Sequence, residues 1–321
     1  MRKEGLRILL IFCLALFIIA SVLIPVPRFD RPLSTVVESS DGRLMGAHIA
    51  SDGQWRFPRK DSVNKKYRAA LVNYEDRYFY IHPGVNPVAL ARSLFINIKN
   101  RRIGCGGSTI SMQLARMSGD NPPRTVPRKV LEILMALKME LLFSKEEILA
   151  LYAANAPFGG NVVGIESASW RYFGRQPADM SWAEACMLAV LPNAPSMIYP
   201  GRNDPDLKVK RDVLLRLLHE RGLIDSMTCT LSLAEPLPEK LYELPEKASH
   251  ISGNYIARGM TGRLRTTIDY DLQEKIINMA TRQGEVNSRN QIHNIAAIVV
   301  EVETGRIIAY AGNVCNDDDT Q

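Results

Sequence analysis

Seventeen consecutive uncharged, mostly apolar residues, Ile8 to Ile24, constrain this chain before anything else does. As a helix the run is roughly 26 Å long, the short end of a bilayer crossing. Arg2, Lys3 and Arg7 precede it, so the positive-inside rule places the N-terminus in the cytoplasm. A cleaved signal peptide is the rival reading. Its apolar region is usually shorter, and no clear small-x-small site follows; Pro25 and Pro27 end the helix instead. The expectation is a cytoplasmic N-terminus and anchor over residues 1–27. The working domain then lies outside the cytoplasm, where ATP is not available.

A chain of 321 residues has room for about two domains. With 46% apolar and 23% charged residues it can bury a core, so global disorder is excluded. Cys13, Cys105, Cys186, Cys229 and Cys315 are far apart and form no CxxC pair. That pattern is neither a zinc site nor a disulfide framework, and small buried hydrophobes are expected.

Residues 28–63 read as a β-rich lead-in, with turns at Asp41-Gly42 and Asp52-Gly53. Residues 64–230 are mainly helical. Helices are expected at 64–80, 86–100, 108–117, 127–143, 144–154, 162–173, 181–191 and 205–221. Ser144 with Glu147, and Ser181 with Glu184, have capping-box spacing. Asn86-Pro87 fits an N-cap followed by proline at the first helical position. Residues 231–262, with Pro236, Pro238 and Pro245, read as a linker. From 263 to 321 a helix through Ala280 and a hairpin around Thr304-Gly305 are expected. That is too little to fold well alone, so it reads as the fragmentary start of an α+β domain.

Three segments carry chemistry. Glu75 lies beside the helical stripe Tyr67, Ala70, Leu71, Tyr74 and Tyr78. Partial desolvation there raises a carboxyl toward general-base values; the bland alternative is a solvated Glu75–Asp76 pair. Gly104 to Arg116 is a glycine-rich turn, an N-cap and a helix, a place for an anion. It lacks Walker spacing, and an ordinary helix start is its alternative. Glu132 shares a face with Met135, Ala136 and Met139 on a helix expected to be largely buried. It needs a partner, a metal or a proton. Arg128, one turn earlier, is its competing structural partner.

The formal charge of +6 resolves into one stretch. Residues 99–129 hold seven Lys and Arg, among them Arg116, Arg124, Arg128 and Lys129, against Asp120 alone. Arginines grip phosphate oxygens in pairs. Outside the membrane a lipid pyrophosphate fits this better than nucleic acid.

Together these segments closely resemble the peptidoglycan glycosyltransferase domain of family 51, as found in class A penicillin-binding proteins of the 1C type. The motifs stand in family order. Glu75-Asp76-Arg77-Tyr78-Phe79 with His82-x-Gly84 comes first, then Gly107-Ser108-Thr109-Ile110 with Gln113, then Arg128-Lys129-x-x-Glu132. Lys145-x-x-Ile148-Leu149-x-x-Tyr152 and Gly160-x-x-x-Gly164 with Tyr172-Phe173-Gly174 follow. Ala183-Glu184-Ala185 through Leu191-Pro192-x-Ala194-Pro195 also matches.

The resemblance implies a mainly α, lysozyme-like domain beside the inner membrane, facing the periplasm. It implies polymerisation of lipid II onto a growing glycan chain, with undecaprenyl pyrophosphate released. Glu75 would deprotonate the acceptor 4-hydroxyl. Glu132 would support the donor site and help hold a divalent cation, Mg or Mn. Asp76, Phe79, His82, Ser108, Thr109, Gln113, Arg116, Arg124, Arg128 and Lys129 would bind substrate, the basic ones neutralising the leaving group. Cell-wall synthesis proteins are candidate partners.

Two departures stand out. Arg116 replaces the family's usual lysine, and Tyr152-Ala153-Ala154 replaces Tyr-Leu-Asn, with Asn155 one position late. Thr266-Thr267-x-Asp269 with Leu272-Gln273 resembles the start of a transpeptidase domain. Its nucleophile region does not appear, so transpeptidase activity and β-lactam acylation are expected to be absent. Ser62-x-x-Lys65 and Ser252-x-Asn254 lie in the wrong context for that chemistry. The competing functions are an impaired remnant that binds lipid II or synthesis partners without turnover, and a lysozyme-like hydrolase. The arginine cluster disfavours the hydrolase, because glycan hydrolysis needs no pyrophosphate site.

Overall fold

A computed structural model describes residues 24, 26–100, 107–119, 125–193 and 195–312, without the side chains of residues 94, 97, 98 and 100. The chain divides into two compact units. The first holds residues 1–31, 59–169 and 175–240; the second holds 32–58, 170–174 and 241–321.

The first unit is mainly helical. Helix α1 (Lys65–Glu75) starts where the Asn64 side chain accepts from the Lys66 and Tyr67 amides. It buries Tyr67, Ala70, Leu71 and Val72. Helices α2 (Pro87–Asn100), α3 (Ile110–Met117), α4 (Val126–Leu142) and α5 (Lys145–Asn155) follow. A short hairpin, β4 (Pro157–Gly159) and β5 (Val162–Val163), leads to α6 (Ile165–Phe173). The core helix is α7 (Trp182–Val190), with every residue from Ala183 to Val190 buried. Helices α1 and α8 (Asp204–Glu220) pack on it, and α9 (Ser226–Ala234) packs on α8. Helix α3 packs on α4 and α5.

Local signals set these boundaries. Ser144 and Ser181 both form complete capping boxes with Glu147 and Glu184. Asn86 accepts from the Ala89 amide at 3.0 Å, and α2 begins at Pro87. Gly222 follows α8 with φ +70°, a left-handed stop that suits glycine.

In the second unit, β1 (Thr35–Glu38) is the centre of a sheet ordered β2-β1-β6. Strand β2 (Leu44–His48) pairs antiparallel and β6 (Arg263–Arg265) parallel. Strand β3 (Trp55–Arg56) and helix α10 (Ser249–Ala257) belong to the same unit. Strands β7 (Ala297–Val300) and β8 (Ile307–Ala311) form a hairpin, and helix α11 (Tyr270–Ser288) packs on β8. Buried Gln273 donates to the Lys247 and Tyr310 carbonyls and accepts from the Tyr310 amide, each at 2.8 Å.

Four expectations are corrected. The first helix ends at Glu75, not at residue 80, because Asp76 leaves the helical region and its carboxylate is drawn elsewhere. Helix α4 buries only Ala136 and Met139. Val126, Val130, Leu141 and Leu142 are exposed, since α3 and α5 cover only part of its circumference. The supposed linker 231–262 carries the end of α9 and all of α10. The lead-in and the C-terminal segment are not separate pieces: β1 and β6 share a sheet.

No helix among the described residues is long and apolar enough to cross a membrane. The apolar run lies outside them apart from Ile24. Cys186 and Cys229 are buried free thiols, as expected, and burial pushes the Cys186 thiol well up. Cys13, Cys105 and Cys315 lie outside the described residues.

Replacing Ser144 by Ala removes the cap of α5 and is expected to cost about 1 kcal/mol. A denaturant melt checks this, and an unchanged midpoint contradicts it.

Candidate active site

Glu75 is the last residue of α1 and is mostly buried. Its Oε2 accepts from Gln113 Nε2 at 2.6 Å. Gln113 is held in turn by Tyr152, whose hydroxyl donates to Gln113 Oε1 at 3.2 Å. Glu75 Oε1 is buried and has no hydrogen-bond partner among the described residues. Burial raises the Glu75 carboxyl above its ordinary value; the Gln113 donor and the charge of Arg116 pull the other way. Asp76 raises it further, and Lys210 on α8 lowers it. A carboxylate with one oxygen held and the other open, its proton affinity increased, is suited to taking a proton at Oε1.

The residue after it fixes its position. Buried Asp76 accepts from His82 Nε2 at 2.9 and 3.0 Å and from the Ile110 amide at 3.1 Å. Ile110 opens α3, so an anion sits at a helix N-terminus. Thr109 caps the same helix by accepting from the Met112 amide, and its hydroxyl donates to the Gly84 carbonyl at 2.5 Å. Gly84 has φ +87°, and a Cβ there would lie 2.7 Å from Glu140 Cγ. Only glycine suits that approach.

Glu132 meets Lys129, not Arg128. Lys129 Nζ lies 2.9 Å from Glu132 Oε2 and donates to Ser108 Oγ at 2.6 Å. Arg128 is exposed. Arg124 lies outside the described residues. Lys129, Ser108 and Glu132 therefore form one group, while Arg116 acts on Glu75.

Several residues expected to bind substrate are turned inward. Asp76, Phe79, His82 and Thr109 are all buried, and Phe79 is fully so. Their contacts are with the protein. Lys145 explains part of this: its Nζ bonds Glu140 at 2.7 Å and the His82 carbonyl at 2.7 Å, and lies 4.4 Å from the Phe79 ring centre. Ser111 Oγ donates to Glu140 Oε1 at 2.5 Å. The sequence reading missed Glu140 and Ser111 as members of this network. A carboxylate on the mostly apolar 132–143 stretch, followed by a lysine five residues on, was the available signal. Asn155 donates to the Leu151 carbonyl of its own helix at 2.8 Å.

No three His, Cys, Asp or Glu side chains gather among the described residues in a way that would hold a metal. Glu132 is already neutralised by Lys129. This donor set does not fit a resident divalent cation.

Comparison with known proteins adds a family. The family model described as Transglycosylase matches residues 42–219. Penicillin-binding protein 1C of Escherichia coli (strain K12) is 36% identical over 304 residues, covering 94% of this chain and 39% of that protein. Penicillin-binding protein 1A of Aquifex aeolicus (strain VF5) is 33% identical over 263 residues, 79% of this chain and 36% of that protein. Penicillin-binding protein 2D of Bacillus subtilis (strain 168) is 28% identical over 302 residues, 89% of this chain and 43% of that protein. The chain thus spans about two fifths of the length of these relatives. Since the family match takes in more than half of the chain, including Glu75, Gln113 and Glu132, the chain belongs to the Transglycosylase family.

Proposed function

We propose that this chain is a peptidoglycan glycosyltransferase. It polymerises lipid II into β-1,4-linked glycan strands and releases undecaprenyl pyrophosphate. One observation carries the reading: Glu75 presents a buried, unpartnered Oε1 while Gln113 holds Oε2.

In this mechanism Glu75 Oε1 takes the proton of the acceptor 4-hydroxyl. The oxygen attacks the anomeric carbon of the growing chain, the bond from that carbon to the pyrophosphate oxygen breaks, and the α-linked donor becomes a β link. The pyrophosphate carries away the electron pair. Lys129 and Arg128, with Arg116 and Arg124, neutralise it. Lys129 is held beside Ser108, just ahead of α3, which keeps a cation next to the glycine-rich segment. Asp76, Phe79, His82 and Thr109 position Glu75 and α3 rather than touch sugar. A Mg or Mn ion would come with the substrate pyrophosphate rather than reside on Glu132, and would help neutralise the leaving group.

The domain is lysozyme-like in this reading and works at the periplasmic face of the inner membrane. Residues 1–27 anchor it, with the N-terminus in the cytoplasm. The exposed Val126 and Val130 at the start of α4 suit a lipid surface. Other cell-wall synthesis proteins are its partners.

Purified chain in detergent is expected to form glycan strands from lipid II. Glu75→Gln is expected to lower the rate by about 10²–10⁴-fold. A wild type that binds lipid II and makes no strands overturns the reading in favour of a non-catalytic binder. Release of soluble disaccharides from cell wall would identify a hydrolase instead.

The same substitution has a stability signature. The folded Glu75 carboxyl sits above its unfolded value of about 4.3. Its contribution is present below that value and is lost as pH rises through the folded one. Glu75→Gln is therefore expected to melt higher than wild type at pH 7, with the difference closing below about pH 4. A lower melting temperature at pH 7 contradicts this.

A further inference from the structure

Gln113 has two amide orientations, and they do opposite things to Glu75. With the NH₂ group toward Glu75, Gln113 donates to Oε2 and supports the ionised carboxylate. With the carbonyl toward Glu75, two oxygen lone pairs face each other unless Glu75 is protonated. What selects the orientation is the group on the far side of the amide. That group is Tyr152, fully buried on α5, whose hydroxyl lies 3.2 Å from Gln113 Oε1. Gln113 is its one hydrogen-bond partner among the described residues.

In the first orientation every group is satisfied: Tyr152 donates, the amide oxygen accepts, and the NH₂ group donates onward. In the flipped orientation Tyr152 accepts from the amide, and its own proton, on a fully buried side chain, has no acceptor among the described residues. A buried donor without an acceptor is strongly disfavoured. We propose that Tyr152 is a positioning residue for the general base: its hydroxyl locks the Gln113 amide in the orientation that donates to Glu75 Oε2, leaving Oε1 as the open basic oxygen. The role as base rests on the glycosyltransferase reading; the lock itself does not.

The other groups facing Glu75 do not replace this contact. On α1 these are Tyr67 and Tyr74, with Asp76 next in sequence; on α3 Arg116; on α8 Lys210. Arg116 and Lys210 act through space and form no hydrogen bond to Glu75 among the described residues. The Tyr67 hydroxyl is buried and bonds to nothing among the described residues. Tyr67 therefore provides a control: a buried hydroxyl beside the same carboxylate, unconnected to Gln113.

The test is a titration of Glu75 in the full chain in detergent micelles, labelled with ¹³C-carboxyl glutamate. Glu75→Gln assigns the signal. Tyr152→Phe is isosteric apart from the hydroxyl. It is expected to raise the Glu75 midpoint by about 0.5 unit or more, roughly threefold in proton affinity. Tyr67→Phe is expected to leave the midpoint in place. In a Gln113→Met background, Tyr152→Phe is expected to add no further shift, because the amide it orients is gone. In lipid II polymerisation the acidic limb of kcat/KM should move upward by the same amount in Tyr152→Phe. The rate should recover toward wild type at higher pH, which a merely structural defect would not allow.

An unmoved midpoint in Tyr152→Phe, an equal shift in Tyr67→Phe, or an undiminished shift in the Gln113→Met background overturns the proposal. The titration needs no turnover. A shifted midpoint in a chain that makes no glycan supports the lock and defeats the glycosyltransferase reading. An unshifted midpoint in an active chain does the reverse.

Discussion

The contact on which the site depends is the one made by the Asp76 carboxylate. It ends α1 one residue after Glu75, holds the His82 ring, and accepts the first amide of α3. Charge-assisted bonds to a helix N-terminus are among the stronger polar contacts available. The consequence is geometric. The end of α1 carries Glu75, the second turn of α3 carries Gln113, and Asp76 joins the two helices so that these side chains meet at 2.6 Å. Lys145 and Glu140 brace the same junction from α5 and α4, through the His82 carbonyl and Ser111.

A division of labour follows among residues that a motif presents as equals. Within Glu75 to Gly84 the Glu75 carboxylate keeps an unpartnered oxygen suited to chemistry. Asp76 and Phe79 are used up inside the protein, the His82 ring is fixed on Asp76 through Nε2 with Nδ1 left unpartnered among the described residues, and Gly84 is required by the close passage of α4. The basic residues divide in the same way. Lys129 neutralises Glu132 and touches Ser108, while Arg116 offsets the buried charge of Glu75. A cluster of positive charge in the sequence thus has local partners inside the protein besides the leaving group proposed for it.

Much of this was legible in the sequence because it rests on local chemistry. The two capping boxes and the Asn86-Pro87 start are short-range signals, and all three are present. Glu75 on a boundary of a helical stripe was readable as a desolvated carboxylate. What was not legible depended on partners distant in the chain. Pairing of β1 with β6 joins residues more than two hundred positions apart, which no periodicity announces. The end of α1 depends on Ile110, and the partner of Glu132 depends on which of two adjacent basic residues the helix turns inward. Helix α10 was missed because serines and Gly253 give it little intrinsic propensity.

The central claim is that a single carboxylate, made more basic by burial, takes the proton in glycan polymerisation. Its most direct test is the pH dependence of kcat/KM for lipid II polymerisation by the wild-type chain. The account predicts one acidic limb with its midpoint above the ordinary glutamate value of about 4.3, the rate rising as Glu75 ionises. A rate independent of pH across the acidic range, or a limb at or below that value, would contradict it.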